Sequence, residues 1–266
     1  MGQETLLTEL NGKVGTIIIN RPEKGNALTL QMLVKLQQTL ERWVKEDSVR
    51  VVILTGAGEK AFCAGFDILS IPTEITPEMA VDFKNDRPLD GALDAVKNFP
   101  YPTIAKMNGY AFGAGLNLAV CCDFRFAVEN VSVGMPPGKL GVVYHADGIK
   151  QFVDVIGPGR TREVFLTSET YKGKDAKEIG LVDKLTPRAD LDTSVDLLIG
   201  QLAERAPLSQ KGTKRILNML IENSMKLSPS QVEEAEMLVI KAMDSDDLKE
   251  AQKAFLEKRK PVFIGK

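Results

Sequence analysis

Few side chains in this chain can carry nucleophilic or acid–base chemistry at neutral pH. There is one histidine, His145, and three cysteines, Cys63, Cys121 and Cys122. Histidine is the side chain whose charge changes nearest neutrality, so His145 suits proton transfer. Any Ser-His-Asp or Cys-His arrangement could use only this residue. One histidine and three cysteines offer no zinc-ligand spacing, so no metal site is expected. Nothing around Cys63 marks an activated thiolate, and Cys121 and Cys122 read as buried helix residues. Three cysteines, two of them adjacent, make a poor disulfide framework and point to a reducing, cytoplasmic compartment.

The other chemistry on offer belongs to the backbone. Two strand-like runs each lead into a glycine-rich turn: Val51–Asp67, with Gly56, Gly58 and Gly65, and Ile104–Leu118, with Gly109, Gly113 and Gly115. Gly56-Ala-Gly58-Glu-Lys-Ala61 fits the dinucleotide fingerprint G-x-G-x-x-A, but that fingerprint needs a long helix next and Gly65 interrupts almost at once. Glycine turns leave N–H groups exposed and let a ligand approach closely. A helix starting near Leu116 would add positive potential. Two such turns facing each other would make a two-donor oxyanion hole. Two tight turns with no ligand are the plainer alternative, and spacing leaves both open.

These turns need a scaffold. The chain has 266 residues and 29.1 kDa, 44% hydrophobic and 26% charged, which is ordinary for a globular protein with a sizeable core. Its 34 basic and 36 acidic residues leave a charge of −2, which argues against nucleic acid as a partner. The N-terminus lacks a signal-peptide pattern, and no apolar run approaches the roughly 20 residues of a membrane span, so no membrane association is expected. Leu6–Asn20 reads as a hairpin about Asn11-Gly12. Leu33, Leu36, Leu40 and Trp43 share one helical face. Val51–Thr55, Thr103–Met107, Phe124–Val128, Val131–Val133 and Leu181–Leu185 read as strands. Leu89–Val96, Leu116–Cys122, Ala146–Ile156 and Asp175–Gly180 read as helices, and Ile71–Lys84 as a loop or short helix. Beyond Pro187 only helical patterns remain, ending with Leu248–Lys260. The expected division is an α/β core over 1–188 and a helical region over 189–266.

In family order and over nearly the whole chain, the sequence resembles the crotonase (enoyl-CoA hydratase/isomerase) superfamily. The resemblance rests on Ile19–Leu28 (INRPEKGNAL), Ala61–Ile68 (AFCAGFDI), Asn108–Gly115 (NGYAFGAG), Cys122-Asp123, Ala176–Val182 and Phe255–Lys260. It implies a ClpP/crotonase-like α/β fold, a spiral of ββα units followed by a C-terminal helical trimerisation region. It implies an acyl-CoA substrate, a homotrimer or dimer of trimers, and no cofactor beyond the CoA moiety. It places the oxyanion donors at the backbone N–H groups of Phe66 and Ala114, and CoA contacts at Lys24, Ala64, Ile68 and Lys258, the last in the C-terminal helix.

The resemblance also implies two glutamates in hydratases, where this chain has Asn117 and Pro137. Neither can act as a general acid or base. Ordinary hydration is therefore not expected. Tyr144 and His145 fall where the family puts the acyl group. A tyrosine at the first position resembles methylmalonyl-CoA decarboxylase, although that enzyme has a histidine where this chain has Phe66. Dienoyl-CoA isomerases carry a catalytic aspartate at the second. Asp147 reads as the cap of the following helix, and Asp67 as a brace for its own loop. Three reactions follow as expectations. Thioester decarboxylation needs no base to begin. An isomerase, lyase or hydrolase would use His145, assisted by Asp82, Asp86 or Asp90. A hydratase would need replacements for the glutamates. A catalytically inactive CoA binder is the alternative outside enzymology.

Overall fold

The computed structural model describes residues 4–67, 87–224 and 228–262. Ile68, Asp82 and Asp86 lie outside the described residues, as does the Ile71–Lys84 segment.

Among the described residues ten strands form two sheets. The first has the order β1(Leu6–Asn11)-β2(Val14–Ile19)-β3(Val51–Gly56)-β5(Thr103–Met107)-β7(Phe124–Val128)-β10(Lys184–Thr186), and the second β4(Ala61–Cys63)-β6(Tyr110–Phe112)-β8(Ser132–Gly134)-β9(Thr170–Lys172). Only the β1–β2 and β8–β9 pairs are antiparallel. From β3 onward the chain alternates sheets, β3 to β4, β5 to β6 and β7 to β8. Helices α2(Pro88–Lys97), α3(Ala114–Val120) and α4(Pro137–Leu140), with α5(Ala146–Thr167), follow successive strand pairs. This is the expected spiral of ββα turns.

The sequence dictates these elements in simple ways. β3 is buried along its whole length, as a continuous apolar run between parallel neighbours should be. Helix α1(Leu30–Glu46) buries Leu33, Leu36, Leu40 and Trp43, the expected face, and Thr29 caps it by accepting from the Met32 N–H. A Cβ on Gly15 would meet the Trp43 ring at 2.6 Å, so glycine lets the indole pack closely on β2.

Glycine also marks where the chain steps between sheets. A Cβ on Gly56 would stand 2.3 Å from the Ala61 carbonyl oxygen, and one on Gly109 would stand 2.2 Å from that of Lys60. Asn108 bonds across the crossing, donating to the Gly56 carbonyl at 2.7 Å and accepting from its N–H at 3.3 Å. Buried Asn26 donates to the Ala57 and Ala61 carbonyls at 3.0 and 2.8 Å.

Several expectations need correction. The chain after Gly58 enters strand β4, not a helix, which removes the dinucleotide reading. Strands β4, β6 and β9 have three residues each, too few for a period. Helix α5 continues past Ile156, interrupted by Gly157 at φ 73°. After α6(Gly173–Glu178) the expected strand is confined to β10.

Helices α7(Leu191–Ala203), α8(Pro207–Ser224), α9(Pro229–Met243) and α10(Asp246–Leu256) complete the chain. α7 packs on β5 and β7, and α10 on α4. Among the described residues no helix is long and apolar enough to cross a membrane.

Candidate active site

The donor loops touch. The Leu28 N–H donates to the Gly65 carbonyl at 2.8 Å, and the Asp67 N–H to the Leu28 carbonyl at 3.2 Å. Phe66 is thus the bridge partner of Leu28 in parallel register, and its own N–H points to the opposite side. Ala114 opens α3, where the first N–H groups have no intrahelical partner. Gly65, at φ 102°, has room for no side chain: a Cβ would lie 2.8 Å from the Phe112 carbonyl oxygen and 3.6 Å from the Ala114 nitrogen. The backbone before Phe66 thus lies directly against the start of α3. The Arg21 guanidinium reaches Asp67 at 3.6 Å, which agrees with a bracing role for Asp67.

Cys63 packs under these loops, its sulfur 2.6 Å from where a Gly115 Cβ would be. Burial pushes its thiol up to about 12, against the Gly65 N–H that opposes the rise. Burial likewise pushes Cys122 up to about 12 and Cys121 well above its usual value. All three stay protonated and behave as small core residues.

Beside these loops the structure gathers a set of side chains. The Tyr144 hydroxyl donates to Asn117 Oδ1 at 2.9 Å, and Asn117 Nδ2 donates to Gln151 Oε1 at 2.6 Å. The Cys121 thiol donates to the same Gln151 oxygen at 3.1 Å. Asn117 lies one turn along α3 from Ala114, so Tyr144 reaches within a turn of the Ala114 amide. Burial pushes the Tyr144 phenol well above its ordinary value, and the charge of Asp90 adds to this, so the hydroxyl keeps its proton. Pro137, at the other glutamate position, is buried at the start of α4.

His145, not Asp147, occupies the N-cap position of α5. Its Nδ1 lies 3.2 Å from the Gly148 nitrogen, while Asp147 is exposed in the first turn. Nδ1 also lies 2.8 Å from Asp90 Oδ1. Asp90 belongs to the first turn of α2 rather than to a loop. Burial would raise its carboxyl, but the hydrogen bond and charge of His145, with Arg87, outweigh this and hold it below the usual carboxylate range. The Tyr144 and His145 rings stand 4.5 Å apart.

Of the expected CoA contacts, Ala64 is half-buried and donates its N–H to the Gly25 carbonyl at 2.9 Å, beside exposed Lys24 in a short 3-10 turn. Lys258 is not in a helix. α10 stops at Leu256, and exposed Lys258 has φ 54°, in the left-handed conformation that ends helices.

Sequence reasoning missed Gln151, which carries no signal beyond its place in a helix, and named Asp90 as one of three acids that could assist His145.

The family model for enoyl-CoA hydratase/isomerase matches residues 9–266. A crotonyl-CoA hydratase of Syntrophomonas wolfei is 30% identical over all of both chains. A carnitinyl-CoA dehydratase of Escherichia coli O157:H7 is 31% identical over 99% of each. A solved methylmalonyl-CoA decarboxylase in complex with 2-nitronate-propionyl-CoA is 26% identical over all of both chains, with a TM-score of 0.89.

Proposed function

The chain belongs to the enoyl-CoA hydratase/isomerase family and acts on acyl-CoA; from that premise we propose that it decarboxylates a carboxyacyl-CoA thioester through an enolate. The carbon–carbon bond to the carboxylate breaks, CO2 leaves, and the electron pair moves into the thioester. The Phe66 and Ala114 N–H groups receive the charge that develops on the thioester oxygen. One such donor is typically worth about 10²–10³ in rate. The α-carbon then takes a proton from His145, while Tyr144 walls the acyl pocket. The chemistry asks for no group beyond the CoA of the substrate.

The observation that supports this reading is the contrast inside the candidate site: the glycine-turned loops carrying Phe66 and Ala114 lie against each other, yet the residues beside them, Asn117 and Pro137, exchange no proton, and Asn117 is committed to Tyr144 and Gln151. Decarboxylation generates the enolate without a base. The likeness to a methylmalonyl-CoA decarboxylase supports it. A second reading, an isomerase, lyase or hydrolase with His145 as base, is favoured by the carboxylate held against that histidine.

Lys24, Ala64, Ile68 and Lys258 are proposed to meet the CoA moiety, Lys258 from its position past the end of α10. The enzyme is proposed to work in the cytoplasm as a trimer or dimer of trimers. Exposed Leu208, Leu220 and Met237 on α8 and α9, at 82, 64 and 58% exposure, are consistent with that assembly.

The test is incubation in D2O with methylmalonyl-CoA, malonyl-CoA and crotonyl-CoA, read by mass spectrometry. CO2 release with one deuterium gained at the α-carbon is expected. Hydration of crotonyl-CoA without decarboxylation would overturn the reading. CoA binding without turnover on any thioester would mark an inactive binder.

A further inference from the structure

The Asp90–His145 pair joins two helices and leaves one nitrogen over. Asp90 comes from α2, and His145 precedes α5. The second Asp90 oxygen faces Arg87 at 3.5 Å, and Arg87 reaches Glu236 on α9 at 2.7 Å, so the carboxylate is itself held from behind.

The Nδ1 atom has two neighbours that make opposite demands. The Gly148 N–H at 3.2 Å calls for a lone pair, and the Asp90 oxygen at 2.8 Å calls for a proton. A bare lone pair at 2.8 Å from a carboxylate would set two acceptors against each other. The shorter, charge-assisted contact therefore fixes the proton on Nδ1. In the neutral ring Nε2 then carries the lone pair. Nε2 is buried and has no hydrogen-bond partner among the described residues. A buried polar atom without a partner calls for an explanation. The ring is held tightly on its α5 side: a Cβ on residue 148 would lie 2.6 Å from Nε2 and 2.4 Å from Tyr144 Cε1, so glycine is required there.

We propose that Asp90 is the positioning residue of His145, holding the imidazole as the Nδ1–H tautomer so that Nε2 exchanges the proton with the thioester α-carbon. This rests on the enolate reading given above. In the forward direction the Nε2–H bond of the imidazolium breaks and a Cα–H bond forms, leaving a neutral ring with Nδ1–H on Asp90. In reverse, the neutral Nε2 takes an α-proton and the electron pair enters the thioester.

Because His145 is the only histidine, the full-length protein labelled with 15N-histidine reports one imidazole. At a pH where the ring is neutral, the spectrum should show a protonated Nδ1 and a bare Nε2. Asp90→Asn, whose amide can donate to Nδ1, should shift the ring toward Nε2–H. A wild-type Nε2–H tautomer would overturn the proposal without any variant. The second readout is deuterium wash-in from D2O at the α-carbon of acetyl-CoA. His145→Gln should slow it at least about 100-fold, within the range for general acid–base catalysis. Asp90→Asn should slow it about tenfold with KM unchanged, and Asp90→Glu should recover part of the rate. Wash-in indifferent to His145→Gln would overturn the assignment of Nε2. The Nδ1–H tautomer and wash-in without CO2 release would leave this pair standing and defeat only the decarboxylase reading. CO2 release with an Nε2–H ring would do the converse.

Discussion

At the donor loops, position is set by backbone conformation. Gly65 turns at φ 102° where a side chain would strike the Phe112 carbonyl, Gly113 turns at φ 51°, and a bridge to Leu28 aims the Phe66 N–H. On the acyl side, position is set by buried polar contacts, Tyr144 on Asn117, Asn117 on Gln151 and His145 on Asp90. The first arrangement is made by backbone groups, with Ala114 buried in the core and Phe66 packed against it. The second depends on the identity of each residue, since a buried polar group left without its partner costs free energy. One half can thus stay constant while the other changes the reaction.

That contrast can be broken most forcefully at Gly65. Gly65→Ala forces a Cβ against backbone in a strained conformation and should move the Phe66 N–H from its place. Turnover should fall about 100-fold or more, as for loss of one oxyanion donor, measured as kcat on whichever thioester is processed. The acyl side should break differently. Asn117→Leu leaves the Tyr144 hydroxyl without an acceptor and the Gln151 carbonyl with the Cys121 thiol alone, and should cost about 1–3 kcal/mol of stability, read from denaturant unfolding. Tyr144→Phe strands only Asn117 Oδ1 and should cost about 1–2 kcal/mol.

A pH measurement sharpens the contrast further. Asp90 is held below its unfolded value, so its pairing stabilises the fold above the unfolded carboxyl pKa of about 3.9. That contribution is lost as the pH falls through the folded value. Wild type should therefore melt above Asp90→Asn at neutral pH, and the two curves should converge below about pH 4. The smallest effect is expected at Lys258, exposed and outside the helix. Lys258→Ala should change KM for the thioester by less than about threefold, in keeping with the small worth of exposed charges.

The two halves were also unequally legible in the sequence. The α1 face, β3 and β5 follow from apolar periodicity, and the donor turns from glycine spacing after apolar strands. Three-residue strands such as β4 and β6 leave no period, so the second sheet is invisible until the first has been built. Asp147 fits a capping pattern, yet His145 stands at the cap position, its ring against both α2 and the first turn of α5. Contacts such as Asp90 with His145, or Gln151 with Asn117, join residues distant in the chain, and nothing in local composition announces them. The end of α10 was overrun because Phe255–Lys260 keeps helix-forming residues past the point where Lys258 turns left-handed.

The most direct test of the central claim is a competition. Wild-type enzyme is given methylmalonyl-CoA and crotonyl-CoA together, and CO2 release is measured against 3-hydroxybutyryl-CoA formation. The account predicts that decarboxylation dominates at least about 100-fold, the worth of the missing general acid–base groups. Hydration at a comparable or greater rate would contradict it.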